Sequence, residues 1–164
     1  MRRSLFATAL VALALAAPAA AGLPRAGVLV PGRSLGGIRL GESPAAVRAA
    51  LGTFYGTCRG CPSRTWYFTY KPFHREGLAV EFTSGRVSGV YTLWRPAGWH
   101  GPHQLGFGSS ALAVHHLAHA SRAVTCGDYE ALAHDSGHAR TAYYLVGGRL
   151  WGFGLFPRGA SPCR

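Results

Sequence analysis

Residues 36–52 read GGIRLGESPAAVRAALG, and this stretch predicts a short amphipathic helix. Ser43 is of a type favoured at a helix N-cap, and Pro44 suits the first helical position. Gly52 is a natural stop just beyond the last turn. The apolar residues that recur with the helical period between these signals are Val47, Ala50 and Leu51. The start, the apolar face and the stop of one helix are therefore all present.

The segments that follow this helix are rich in aromatic and β-branched residues, which is typical of strands. The predicted strands are Trp66–Tyr70, Leu78–Phe82 and Val87–Trp94. Thr83-Ser84-Gly85-Arg86 is polar and contains glycine, so it predicts a hairpin turn between the last two. The first half of the chain thus reads as a helix followed by antiparallel strands.

The second half repeats this order. Phe107-Gly108-Ser109-Ser110 matches Leu40-Gly41-Glu42-Ser43, and a second helix is predicted over Ala111–Ala120. Gly147-Gly148-Arg149 matches the first hairpin turn and joins predicted strands that span Thr141–Val146 and Leu150–Phe156. Two matches in the same order predict a duplicated helix-then-hairpin unit.

The stretch 36–52 resembles the leading helix motif of β-lactamase inhibitory protein-like domains, which small outer-membrane assembly lipoproteins share. This resemblance implies an α+β fold of two tandem helix-on-antiparallel-sheet units, at residues 22–99 and 100–164, each with a local disulfide. It also implies that an exposed sheet face binds partner proteins. No motif for an inhibitory residue set is present, so only the fold and a binding role are implied.

The first 21 residues predict a secretory signal peptide. Arg2 and Arg3 form a charged start, Leu5–Ala16 is apolar, and Ala19-Ala20-Ala21 suits cleavage after Ala21. The apolar run is shorter than the roughly 20 residues of a membrane span, and no later segment comes closer. We therefore expect a product that is secreted, either extracellular or associated with the cell wall, without a transmembrane segment after cleavage.

Four cysteines in a chain expected to be exported predict disulfides. Four cysteines allow three pairings. Cys58–Cys61 with Cys126–Cys163 is favoured because it keeps each bridge within one half of the chain.

The charge of the chain is strongly positive. Seventeen Lys and Arg residues face six acidic ones, and the predicted leader holds only two of the basic residues. Such an excess favours an anionic partner: an acidic protein, a cell-wall polymer or a lipid head-group surface. The arginines are scattered without a run of five, which favours a dispersed basic surface. Nucleic acid is not expected as the partner of an exported chain.

The aromatic residues of the strands predict a binding surface. Side chains alternate between the two faces of a strand, so helices that cover one face leave Tyr and Trp exposed on the other. The candidate binding face comprises Trp66, Tyr67, Tyr91, Trp94, Tyr143, Tyr144, Trp151 and Phe153. The alternative is that both faces are covered, the outer one by the other unit or by loops.

Histidines supply a competing hypothesis. His115 and His119 are spaced i and i+4 and can share a metal, and His100 and His103 precede their helix. The pattern H-H-x-x-H lacks the glutamate that a zinc protease uses as base, so a surface histidine cluster is favoured. Acidic residues are too sparse for general acid/base pairs, and no phosphate-binding loop is present.

The sequence therefore predicts a non-catalytic, secreted protein-binding or inhibitory module without a cofactor. Its expected partner is an extracellular or envelope protein, with an acidic one favoured by charge. The alternatives are a metal-binding protein or metal-dependent enzyme of the cell envelope built on the histidines, and an envelope protein that stabilises the cell surface.

Overall fold

A computed structural model describes residues 22–61 and 63–164 of the chain. The predicted signal peptide, residues 1–21, lies outside the described residues. Neither helix in the described part of the chain has the length and apolarity to cross a bilayer.

The described chain contains two short helices and ten strands. The helices are α1 (Pro44–Leu51) and α2 (Ala111–Ala118), and a 3₁₀ turn spans Pro102–Gln104. The strands are β1 (Leu29–Val30), β2 (Ser34–Leu35), β3 (Gly56–Thr57), β4 (Arg64–Thr69), β5 (Gly77–Thr83), β6 (Arg86–Leu93), β7 (Arg122–Cys126), β8 (Tyr129–Ser136), β9 (Ala139–Val146) and β10 (Arg149–Pro157).

The main sheet has eight strands in the order β3-β4-β5-β6-β10-β9-β8-β7. Every neighbouring pair is antiparallel. Two four-strand meanders therefore run inward from the two edges. They meet at the centre, where β10 pairs with β6 through Gly154 with Tyr91 and Leu155 with Val90. Strands β1 and β2 form a separate small sheet.

The predicted fold class, two tandem helix-on-sheet units, was wrong. The strands of both halves belong to one eight-stranded sheet, and the chain is mostly strand with only two helices in its described part. Separate units would leave β6 and β10 as long edges with unpaired N–H and C=O groups, and pairing them satisfies those groups. The boundary between residues 99 and 100 stays a prediction.

The two helix starts nevertheless share their local hydrogen bonding. Ser43 Oγ accepts from Ala46 N and Ser110 Oγ accepts from Ala113 N, both at 3.2 Å. The main-chain bonds that tie each start to a hairpin strand are Gly41 N to Val87 O and Gly108 N to Leu150 O, both at 2.9 Å. The likeness of the two halves is thus local, in the caps and turns, and the sheet itself is shared.

One face of the sheet, the inner face, packs against both helices and the β1–β2 segment. The largest side chains buried there include Trp66, Phe68, Trp99, Tyr143 and Phe153. The helices contribute Val47 and Leu51 from α1 and Val114 and Ala118 from α2. The main core therefore lies between the sheet and these short elements.

The sequence did not predict β7 and β8. Strand β8 reads YEALAHDS, which mixes alanine with polar residues and has low strand propensity, so its pairing with β9 outweighs its local preference. His134 lies within this strand. Helix α2 ends at Ala118 rather than Ala120, because His119 takes a left-handed conformation at φ 52°.

The cysteine pairing is confirmed. Cys58 is bonded to Cys61, and Cys126 to Cys163. Two disulfides fit a protein that folds in an oxidising compartment.

Candidate functional site

The outer face of the sheet, which is turned away from the helices, carries several small side chains along its centre. Directly paired residues point to the same face, so one row runs across it through Tyr67, Ala79, Tyr91, Gly154 and Ala142. Three of these five residues have at most a methyl side chain. A Cβ added at Gly154 would meet the rings of Tyr144 and Phe156, so the small residues of the row make room for these side chains.

Residues 158–164, here called the strap, pack over the outer face of the β7–β10 half. The contacts that hold the strap are Tyr144 Oη donating to Pro162 O (2.8 Å), Arg140 Nη1 donating to Ala160 O (2.7 Å) and the Cys126–Cys163 disulfide. A second small core forms beneath it from Ala131, Ala142, Tyr144 and Phe156. This half of the outer face is thus covered by the chain itself.

Arg164 of the strap forms an ion pair with Glu81 on β5, in the β3–β6 half of the sheet. Arg164 Nε lies 2.8 Å from Glu81 Oε1, and its Nη2 donates to Oε2 at 3.0 Å. The guanidinium also lies over the ring of Phe156, 4.2 Å from its centre. Glu81 is only 8% exposed, so a cation beside it offsets the cost of burying its charge.

Four of the eight aromatic residues predicted to form the binding face are buried. Trp66, Tyr143 and Phe153 lie on the inner face with no exposed surface. Tyr144 points to the outer face, but the strap covers it and leaves 6% exposed. These four side chains cannot contact a partner in this conformation.

The other four predicted residues stay accessible. Tyr67 and Tyr91 are half-buried on the outer face, and Trp151 is half-buried at the irregularity of β10. Trp94, just beyond β6, is 44% exposed and lies edge-on to Trp151 with 5.1 Å between ring centres. The guanidinium of Arg75 lies 5.4 Å from the centre of the Trp94 ring.

Two exposed phenylalanines at the same end of β4 were missed by the sequence analysis. Phe54 is 62% exposed, and Phe73, in the loop between β4 and β5, is fully exposed at 105%. They line a groove of about 370 Å³ together with Tyr55, Gly56, Tyr67, Thr69, Pro72 and His74. We call Phe54, Tyr67, Phe73, Trp94 and Trp151 the aromatic corner. The sequence could have indicated this exposed site through Pro72-Phe73, an apolar pair within an otherwise polar loop.

The histidines do not assemble into a site. Among residues 22–61 and 63–164, no three His, Cys, Asp or Glu residues are placed to hold a metal ion. His115 and His119 do not share one face of a helix, because α2 ends at Ala118 and His119 takes a left-handed conformation. His100 Nδ1 lies 3.2 Å from Gly101 O, and His103 and His119 are exposed.

Burial and hydrogen bonding shift the pKa values of three tyrosines and one aspartate, and each shift favours the protonation state that the group ordinarily has at neutral pH. Burial raises the pKa of Tyr91, of Tyr143 and of Tyr144. A hydrogen bond from Arg140 lowers the pKa of Asp135, outweighing the effect of burial. None of these groups is thereby moved towards the range in which a general acid or base works at neutral pH.

No protein-family model matches the sequence, and no curated protein is significantly similar to it. Two solved structures are similar in shape. One is an extracellular protein containing a SCP domain from Bacillus anthracis, with a TM-score of 0.49 and 9% identity over 73% of this chain. The match spans 44% of that protein's chain. The other is a DUF4309 family protein from Bacillus subtilis, with a TM-score of 0.48 and 13% identity over 71% of this chain and 78% of the other.

Proposed function

We propose that this chain is a secreted, non-catalytic binding module that holds an acidic extracellular or envelope protein at the aromatic corner. Secretion is supported by the leader pattern in residues 1–21 and by the two disulfides. The likeness of residues 36–52 to the helix motif of β-lactamase inhibitory protein-like domains is in keeping with a protein-binding role.

The observation that carries the proposal is the exposure of large apolar rings at one end of the sheet, in the groove of Phe54 and Phe73 and in the Trp94–Trp151 pair. Phe54, Phe73 and Trp94 are 62%, 105% and 44% exposed, whereas the β7–β10 half of the outer face is covered by the strap. Burying one such ring against a partner contributes about 1.5–3 kcal/mol. Aromatic residues and arginine are the residue types enriched in the anchors of protein interfaces.

The charge around the aromatic corner favours an acidic partner. The loop between β4 and β5 carries Lys71, His74 and Arg75, against the single acidic residue Glu76. Arg75 lies over Trp94, which places a cation within the apolar patch. Carboxylates on the partner would be attracted to this edge, and the excess of basic over acidic residues outside the leader acts in the same direction over longer range.

The proposal is tested by comparing variants in partner capture. The full chain, exported with its own leader and oxidised, is used to capture a partner from secreted and envelope extracts. The captured protein is then identified and its Kd measured. Phe73→Ala and Trp94→Ala should each weaken binding at least tenfold.

Val30→Ala is the matched control, because Val30 is 38% exposed on β1, and the turn after β1 is held at the other end of the sheet, where Gly32 N donates to Thr141 Oγ1 at 2.9 Å. An identified partner that binds all three variants equally well would contradict the proposal, as would the failure of repeated captures to yield any protein. Circular dichroism of the variants checks that each is folded.

A further inference from the structure

A cavity of about 760 Å³ lies beside the C-terminal end of α1. The loop between β4 and β5 borders it on one side, and the segment that starts at Gly22 borders it on the other. It shares Phe54, Thr69 and His74 with the groove of the aromatic corner. Its volume falls within the range of about 300–1,000 Å³ that small-molecule sites have.

The floor of this cavity is apolar and firmly held. Leu23, Phe54 and Ala97 supply its accessible apolar surface, and the lining residues Leu51 and Phe68, which belong to the main core, are 4% and 1% exposed. A wall is fixed by Tyr70, whose Oη donates to Pro24 O and accepts from Trp99 Nε1, each at 2.7 Å. The cavity is therefore largely preformed.

The charged groups that line the cavity are mainly cationic. Arg25, Arg48 and Lys71 face a single carboxylate, Glu76. In the part of the chain that the structure describes, the ion pairs are Arg140–Asp135 and Arg164–Glu81, so none of the three cations has a carboxylate partner within 4.0 Å. Arg48 lies instead over the Trp66 ring, 5.3 Å from its centre.

We propose that this cavity binds a single-chain amphipathic anion, a long-chain fatty acid being the simplest of the class. The apolar chain would lie against Leu23 and Phe54, and the carboxylate would lie near Arg25 and Lys71. The C-terminal end of α1 carries a partial negative charge, which disfavours placing the carboxylate there. Unpaired cations above an apolar floor match a ligand that carries one charge at the end of an apolar tail.

Isothermal titration of the full, exported chain with oleate, below its micelle concentration, tests the proposal. Oleate should bind with a micromolar Kd, and oleylamine, which has the same tail with a positive head, should bind at least tenfold more weakly. The double variant R25Q/K71Q should lose at least tenfold in oleate affinity. Ala97→Trp, an exposed position at the cavity, should lose as much by filling space.

Arg122→Gln is the matched control, because Arg122 is an exposed arginine on β7 at the opposite edge of the sheet. Failure of the folded protein to bind oleate would overturn the proposal. So would equal affinity for oleate and oleylamine, or an affinity that R25Q/K71Q and Ala97→Trp leave unchanged.

This outcome is separable from that for the protein partner. Phe73→Ala should leave oleate binding unchanged, because Phe73 lines the groove and not the cavity.

Discussion

Arg140 shows how a single residue joins the strap to the sheet. Its side chain, 5% exposed, donates from Nε and Nη2 to the two carboxylate oxygens of Asp135, at 2.7 and 2.9 Å. Its Nη1 donates to Ala160 O in the strap at 2.7 Å. The guanidinium is thus bound from both sides, and loss of Asp135 would leave a buried cation with only a carbonyl as partner.

The Asp135–Arg140 pair predicts a dependence of stability on pH. The hydrogen bond from Arg140 lowers the pKa of Asp135 below its unfolded value of about 3.9. The stabilisation is therefore fully present above about pH 4 and is lost as pH falls through the folded pKa. Asp135→Asn should lower the free energy of unfolding at pH 7 by about 1–3 kcal/mol.

Urea unfolding at pH 7 and pH 3 measures this effect. The difference in the free energy of unfolding between Asp135→Asn and the parent chain should be smaller at pH 3 than at pH 7, since acidification weakens the charged pair in the parent. Asp128→Asn, at an exposed turn position, should follow the parent at both values. A gap that stays constant or widens on acidification would contradict the assignment.

At the scale of elements, the strap covers the β7–β10 half of the outer face, so only the β3–β6 half stays accessible. It is fastened to β8, β9 and β10 through side-chain contacts, and to β5 through Arg164. The sequence indicates no partner for Glu81, because Arg164 is 83 residues away along the chain. Only the return of the strap across the sheet brings the two together.

We predict that Glu81 and Arg164 are energetically coupled. Arg164→Ala should lower the free energy of unfolding by about 1–3 kcal/mol, because the buried Glu81 carboxylate loses its counter-charge. Glu81→Gln should lower it by less, because the Arg164 side chain is 23% exposed and stays hydrated. The double variant should cost little more than the larger single change. Urea unfolding of the four proteins gives the coupling energy, and Glu130→Gln, exposed on β8, is the control. Strictly additive single effects would show that the contact contributes nothing to stability.

At the scale of the whole molecule, the two meanders and the strap depend on long-range connections. β6 and β10 join the halves at the centre of the sheet, and the Cys126–Cys163 bridge closes a separation of 37 residues. The Cys58–Cys61 bridge spans only three and stays within one turn of the chain. The two disulfides should therefore differ in their contribution to stability.

Removal of each disulfide tests this difference. In the chain-entropy model, C126S/C163S should lose about 4 kcal/mol and C58S/C61S about 2 kcal/mol, because the longer loop restricts the unfolded chain more. Thermal and urea unfolding of the two double variants measure which one loses more stability, and each variant serves as the control for the other. A larger loss in C58S/C61S would contradict the prediction.

By itself, the sequence determined the local features of this protein. The capping signals at Ser43 and Ser110 placed both helices, the glycine turns placed the β5–β6 and β9–β10 hairpins, and the preference for bridges within one half of the chain gave the cysteine pairing. Such features depend on propensities and hydrogen bonds between residues close in the chain, or on the simple preference for bridges within one half.

Tertiary structure alone decided the rest. It merged the two halves into one sheet, placed Tyr143 in the core and Tyr144 beneath the strap, and left Phe73 and Trp94 exposed. Alternation along a strand separates neighbouring side chains onto two faces but does not say which face is covered. That choice depends on contacts between segments far apart in the chain, and no local pattern encodes them.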